Sequence, residues 1–444
     1  MMALSPQSSL PKQCGSWKDL KAAYRLFNNP NVTPDGIQST HRTATYEACK
    51  NHPVVLCVQD GTTLSFSGRT KIRGLGKLKR GTGHGLMQHS TLAVTTGGEV
   101  LGVLDQYWFR RIDKKKGETR RQQRQRWRES DVWSDSAKRV GAPPTGTRFV
   151  HVMDREADSI EIMLACDDVG TGFVIRAQHN RWVESLQDKL WPFMAKQSRV
   201  ATLTVSIGKQ KDVNNGNDRK ARDAEVSVRF SKVVLRGAPT SAVANLSRSV
   251  FAIHVSEENA PDDCAPVDWM LLTSEEVTGR AEAEQIIRWY MRRWIIEEWH
   301  RVEKEGCRLE ATQLDDAEDI KRLAALTAVI AVRMLRLRDL AGLGTSAPRV
   351  GLDESAPAHN PKALREAVPK TWVAIVSHLA KVDPKKLTPR QFWITIAKQG
   401  GYLARTRDGN PGWKTIWQGW YDIQRIVQGA ELLTKNPNLL EKCG

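Results

Sequence analysis

The chain has 444 residues, 40% of them hydrophobic, enough to bury a large core in one domain with appendages or in two to three smaller ones, and this excludes a disordered tail. Lysine and arginine number 67 against 50 acidic residues, a net charge of +17 that favours a polyanionic partner, either nucleic acid or an anionic membrane surface. The 15 tryptophans favour nucleic acid, because indoles stack on exposed bases, and the longest apolar run, LAALTAVIAV between Arg322 and Arg333, is too short to span a bilayer.

No secretory signal is read at the start of the chain. The seven cysteines (Cys14, Cys49, Cys57, Cys166, Cys264, Cys307 and Cys443) are odd in number, scattered and without a CxxC pair. They read as reduced thiols of a cytoplasmic protein, with neither a disulfide framework nor a structural zinc site.

Residues 16–27 (SWKDLKAAYRLF) predict a helix, followed by the turn-rich NNPNVTPDG and a second helix near 37–50. The apolar run VVLCVQD at 54–60 predicts a buried strand ending at Asp60. Residues 86–94 and 100–108 alternate as a hairpin about Gly97 and Gly98. RFVHVMD at 148–154 predicts another buried strand ending in Asp154, then come a helix and a further strand, GFVIRA, at 172–177. This order predicts an α/β fold with an RNase H-like core, a mixed sheet flanked by helices. Short β-rich runs at 201–207, 224–235 and 250–255 predict a mostly β insertion spanning about 181–269. Long helices are expected at 281–305 and 319–340, then a linker rich in Ala, Pro, Ser and Gly at about 341–361, then a helical remainder containing WKTIWQGW. The domain reading is 1–53 helical, 54–340 catalytic, and 341–444 helical.

Two basic stretches, RTKIRGLGKLKR at 69–80 and KKKGETRRQQRQRWR at 114–128, have the composition of DNA-backbone contacts, or of solvated faces. The first is no P-loop, since Leu78 follows Gly76 and Lys77.

Residues 290–304, YMRRWIIEEWHRVEK, carry the densest pattern. On a continuous helix Tyr290, Arg293, Glu297, Arg301 and Lys304 fall within an arc of about 80°. One carboxylate among three cations and a phenol suits a metal ion beside a phosphodiester; the plain alternative is a solvated face of an amphipathic helix. Asp60 and Asp154 would join Glu297 only through tertiary folding, across separations of 94 (154 minus 60) and 143 (297 minus 154) residues. Three converging carboxylates repel unless a cation sits among them, and hard oxygen donors suit Mg²⁺ or Mn²⁺.

These residues resemble the bacterial DDE transposases of the insertion-sequence-4 family, and within it the transposon-5 group. The signature of Tyr, two residues, Arg, three residues, Glu, six residues and Lys is met by Tyr290, Arg293, Glu297 and Lys304. DREAD at 154–158, QDGTTLSF at 59–66, AYRLFNNPNV at 23–32, WMLLTSE at 269–275 and AVRMLRLRDL at 331–340 are similar to that family as well. The resemblance implies Asp60, Asp154 and Glu297 as the metal-binding triad, with two Mg²⁺ or Mn²⁺ ions when DNA is bound. It implies that Tyr290, Arg293 and Lys304 grip phosphates, that Trp269 stacks on a flipped base, and that Arg176 and His300 touch DNA. Arg301 stands where the family has Lys, keeping the charge but not the geometry. The implied partners are double-stranded DNA, at transposon ends and target, and a second copy of the chain in a homodimeric synaptic complex. The implied reaction is cut-and-paste transposition by way of a hairpin, in a bacterial cytoplasm and on its nucleoid.

Ahead of the region resembled from Ser16, the family carries a helical segment that takes part in recognising the transposon end; here that segment is expected to be missing apart from MMALSPQSSLPKQC, a shortened N-terminus. Residues 1–53 therefore read as a remnant of a DNA-binding region, with weak specific end binding. The alternative function is an end-binding-defective, non-catalytic inhibitor that still dimerises, and a second alternative is a related nuclease that cuts without joining.

Overall fold

The computed structural model describes residues 6–437 apart from 70, 79–82, 112–116, 118, 120–126, 185–187, 209–221, 238–242, 244, 262–263, 344–360 and 406–407. Most of the basic stretch 114–128 and of the linker 341–361, and part of the stretch 69–80, lie outside the described residues. The chain divides into two compact units, one of residues 38–298 with 346–354, the other of 1–37, 299–345 and 355–444.

The larger unit is built on a mixed sheet of twelve strands: β1 (Val54–Ser65), β2 (Gly76–Lys77), β3 (His84–Thr95), β4 (Val100–Phe109), β5 (Arg148–Met153), β6 (Gly172–Arg176), β7 (Trp182–Val183), β8 (Asp188–Lys189), β9 (Ala201–Ile207), β10 (Arg222–Arg236), β11 (Ser247–Ser256) and β12 (Asp268–Thr273). The main path runs β2-β3-β1-β5-β6-β12-β11-β10-β7-β8, with β4 on β3 and β9 on β10. Strands β1, β5 and β6 are parallel and β3 is antiparallel to β1, the pattern of an RNase H-like core. The β3–β4 hairpin closes where predicted, with Gly98 at φ +100° taking the left-handed conformation the turn requires. Helices Asp131–Val140 and Ile160–Asp168 cover one face, burying Trp133, Met163 and Cys166 against Phe173 and Leu272.

Two expectations change here. β1 does not end at Asp60 but continues to Ser65 against β3; what ends is its parallel pairing with β5, at Val58 opposite Val152. The insertion's strands are not a separate β layer, because β12 pairs antiparallel with β6 and carries the same sheet onward through β11 and β10.

The expected helix 281–305 is three segments. A helix Arg280–Met291 is followed by Trp294–Arg301 and then by a π-helical turn, Val302–Gly306. At the first junction Arg292, Arg293, Ile295 and Ile296 donate their amides three residues back rather than four. Such tightened turns advance about 120° per residue, so side chains beyond Arg293 leave the phase of a continuous helix.

The other unit is helical among its described residues. Ser16 caps Trp17–Phe27, its Oγ accepting from the amide of Asp19 at 3.1 Å. Asp316 caps the long helix Ala317–Leu340, whose buried Arg322 donates to the carbonyls of Phe27 (2.8 Å) and Val32 (2.5 Å). Helices Lys370–Ala380, Pro389–Gln399 and Trp413–Lys435 bury Trp372, Trp393, Trp413, Trp417 and Trp420 in one aromatic core. Gly306, at the end of the π turn, lies against Trp417, so closely that a Cβ there would stand 2.3 Å from Cζ2 of the indole. No described helix is long and apolar enough to cross a membrane.

Candidate active site

Sheet register brings the two aspartates together. Val58 on β1 is opposite Val152 on β5, and Asp60 and Asp154 each stand two residues further along. Side chains alternate across a strand, so an extended continuation of the two strands would direct both carboxylates to the same face. Beyond Met153 the chain turns into the 3₁₀ segment Arg155–Ala157, capped by Asp154, whose Oδ1 accepts the amide of Glu156 at 2.8 Å. Asp60 Oδ1 accepts the amide of Gly61 at 2.8 Å.

The tightened turn at 292–296 carries the third carboxylate to the same place. Arg293 donates through Nη1 to Asp60 Oδ2 at 3.3 Å and through Nη2 to Glu297 Oε1 at 2.5 Å. Its side chain is 14% exposed and that of Asp60 16%. This face of the signature segment is therefore turned inward, and the solvated-face alternative fails for Tyr290 and Arg293.

Charge is not balanced at this point. Burial raises the Asp60 carboxyl to about 7; Arg293 opposes that rise, while the charges of Asp154 and Glu297 add to it. Burial also works against the charged Arg293 guanidinium, yet Asp60, Tyr290 and Glu297 more than offset it and hold its pKa above the ordinary value. Among the described residues no three His, Cys, Asp or Glu side chains stand close enough to enclose a metal ion as placed. In donor type the set nevertheless fits a hard divalent cation, since three carboxylates carry more negative charge than Arg293 neutralises.

The remaining predicted residues divide between the units. Tyr290 and Trp269 are buried and pack edge to face, ring centroids 5.7 Å apart, so the indole presents no open stacking platform. Arg176 donates to the carbonyl of Asp268 at 3.0 Å; burial lowers its pKa, and a hydrogen bond with Tyr290 opposes that. His300, Arg301 and Lys304 belong to the other unit. There His300 is buried beside the indole of Trp299. Arg301 is exposed, and Lys304 pairs with Glu310 at 3.7 Å.

Sequence reasoning missed two features of the same strands. Ser90, directly opposite Asp60 on β3, is wholly buried, and its hydroxyl has no hydrogen-bond partner in the described structure. On the opposite face, Gln59 bridges His89 and His151. A polar residue inside the apolar run VVLCVQD was the available signal.

Two family models match the chain. Residues 1–32 match the family described as Transposase DNA-binding, and residues 352–436 match that described as Transposase Tn5 dimerisation domain. Over these two segments, therefore, the chain is similar to transposases, and over the second to the Tn5 transposases in particular.

Proposed function

We propose that this transposase is a metal-dependent DDE enzyme of cut-and-paste transposition, with Asp60, Asp154 and Glu297 as its triad. The observation that carries the reading is Arg293, which joins Asp60 to Glu297, beside β1 and β5, whose parallel ladder ends two residues before Asp60 and Asp154. The three carboxylates would hold Mg²⁺ or Mn²⁺, and the metal would supply an activated attacking oxygen and neutralise charge on the oxygen that leaves.

The chain's own groups set the geometry. Arg293 holds Asp60 to Glu297, and with a cation held by the carboxylates its guanidinium would be available to a DNA phosphate, the role the family resemblance gives it. Tyr290, held between Arg176 and Trp269, lines the same wall, and a base stacking on Trp269 requires Tyr290 to move. Lys304 and Arg301 add positive charge for the backbone. In the first step a water oxygen bonds to phosphorus at the transposon end and the 3′-oxygen leaves with a proton. That 3′-hydroxyl then attacks phosphorus on the opposite strand to give a hairpin, expelling the flanking DNA's 3′-oxygen with the proton; a second water reopens the hairpin by displacing the 3′-oxygen, and the freed 3′-hydroxyl attacks phosphorus in target DNA, expelling a target 3′-oxygen with the proton.

The test is Mg²⁺-dependent cleavage of end DNA followed by strand transfer from pre-cleaved ends. Loss of cleavage in Glu297→Gln, with DNA binding retained, is the expected result; normal turnover in that variant overturns the triad. Cutting without joining by the wild-type chain would make it a nuclease, and equal background from wild type and Asp60→Ala would make it a non-catalytic inhibitor.

A further inference from the structure

The ladder that holds β1 to β5 stops two residues short of the two aspartates. Its last pair is Val58 with Val152, and neither Asp60 nor Asp154 lies within it. Past that point Asp154 enters its 3₁₀ cap and β1 is held by β3 alone, so backbone pairing does not fix the separation of the two carboxylates. A side chain takes over: Gln59, immediately before Asp60 and on the opposite face, lies with Nε2 2.7 Å from Nδ1 of His151, three residues before Asp154. Its Oε1 lies 3.1 Å from Nε2 of His89 on β3.

All three side chains are buried, Gln59 and His151 at 0% exposure and His89 at 1%, and the His89 ring packs edge-on to Trp133, 4.6 Å between centroids. With the amide donating to His151 and accepting from His89, both imidazoles carry their proton on Nε2. Burial lowers the His151 pKa to about 4; burial, with Arg139 adding to it, lowers that of His89 to about 3, so the bridge is neutral at the pH of DNA chemistry. His151 Nε2 is itself buried without a partner in the described structure. A buried polar group left in that state is costly, and its retention suits a ring placed for the bond its other nitrogen makes.

We propose that Gln59 is a positioning residue for the triad: its amide, clamped between His89 and His151, sets how far Asp60 stands from Asp154. The inference rests on the metal reading of Asp60 and Asp154 and adds to it the element that holds them at ligand spacing. Outer partners of this kind typically change metal affinity by roughly 10–100-fold when removed.

The test is Mn²⁺ alone titrated into the full-length, DNA-free chain, with unbound Mn²⁺ read by electron paramagnetic resonance and folding checked by circular dichroism. Gln59→Met and His151→Phe keep the bulk and remove the bridge, and each should raise the Mn²⁺ Kd about tenfold. His151→Asn, which keeps an acceptor where Nδ1 stood, should bind Mn²⁺ close to wild type, an outcome that mere loss of packing does not produce. Unchanged Mn²⁺ affinity in Gln59→Met overturns the proposal. If that variant does not fold, equal affinity of His151→Phe and His151→Asn overturns it instead. Asp60→Asn separates the two readings: Mn²⁺ binding unaffected by Asp60→Asn removes the metal site itself, whereas loss there with an unaffected Gln59→Met removes the clamp alone.

Discussion

The carboxylate–guanidinium groupings around Asp105 and around Asp60, both in the larger unit, are built to opposite ends. Asp105 on β4 accepts from Arg139 Nε at 2.9 Å and Nη2 at 2.8 Å, and from Ser136 Oγ at 2.7 Å. One carboxylate meets one fork-shaped cation in bidentate geometry, with a hydroxyl on the remaining lone pair, and nothing is left over. Around Arg293 the guanidinium reaches both Asp60 and Glu297, Asp154 adds charge nearby, and the Asp60 carboxyl rises to about 7. A matched pair holds structure together; an unmatched cluster keeps a standing demand for positive charge, which is how a site for a cation or a phosphate is set apart from a structural ion pair.

The contrast can be broken at either pair, and the largest expected effect is on chemistry. Glu297→Gln should lower Mg²⁺-dependent cleavage on the order of 10³-fold or more while gel-shift affinity for DNA is retained. Arg139→Leu, at the matched pair, should act on stability: it strands buried Asp105 and should cost about 3 kcal/mol in a urea titration, with cleavage per folded molecule unchanged. A fall in cleavage that outruns the unfolded fraction would erase the distinction between the two pairs.

Asp60→Asn should have the opposite sign from Arg139→Leu. A carboxyl whose folded pKa lies above its unfolded value near 4 contributes stability that is present below that value and is lost as pH rises toward about 7. At pH 8 without divalent metal, Asp60→Asn should therefore melt later than wild type, by on the order of 1 kcal/mol, and the gain should vanish near pH 4. Thermal melts at both pH values check it, and a destabilised variant at pH 8 would show that Arg293 already balances the cluster. The smallest effect is expected at Lys304→Ala, which should flatten the salt dependence of DNA binding by roughly one phosphate contact.

Much of this was legible in the sequence because it depends on local pattern. Hydrophobic runs marked β1, β5 and β6, glycines marked the β3–β4 turn, and helical patterns marked the helices at 17–27 and 317–340, the latter expected from 319. Asp60 and Asp154 were legible as the carboxylates that follow apolar runs on β1 and β5. What was not legible depends on which backbone group bonds to which. The turn at Arg292 and Arg293 replaces four-residue bonds by three-residue ones without any glycine or proline to mark it, so a helical wheel drawn through 290–304 places its later members wrongly. The joining of β12 to β6 is a long-range pairing, invisible in a segment that reads only as β-rich. Gln59 was quoted within a motif, yet its partners lie 30 and 92 residues away and no spacing rule connects them.

The contact between Gly306 and Trp417 bears on how this chain can be engineered. The ring of a helix in the matched dimerisation domain takes the space that any larger residue at 306 would need. That domain is therefore not a detachable module: a chain cut before Trp417 loses the surface on which the last turn of the signature segment rests, two residues from Lys304. Deletions in that segment would alter the Lys304 end of the signature as well as the matched domain. Point substitutions on the exposed face of Trp413–Lys435, at Leu432 for example, would leave that support in place.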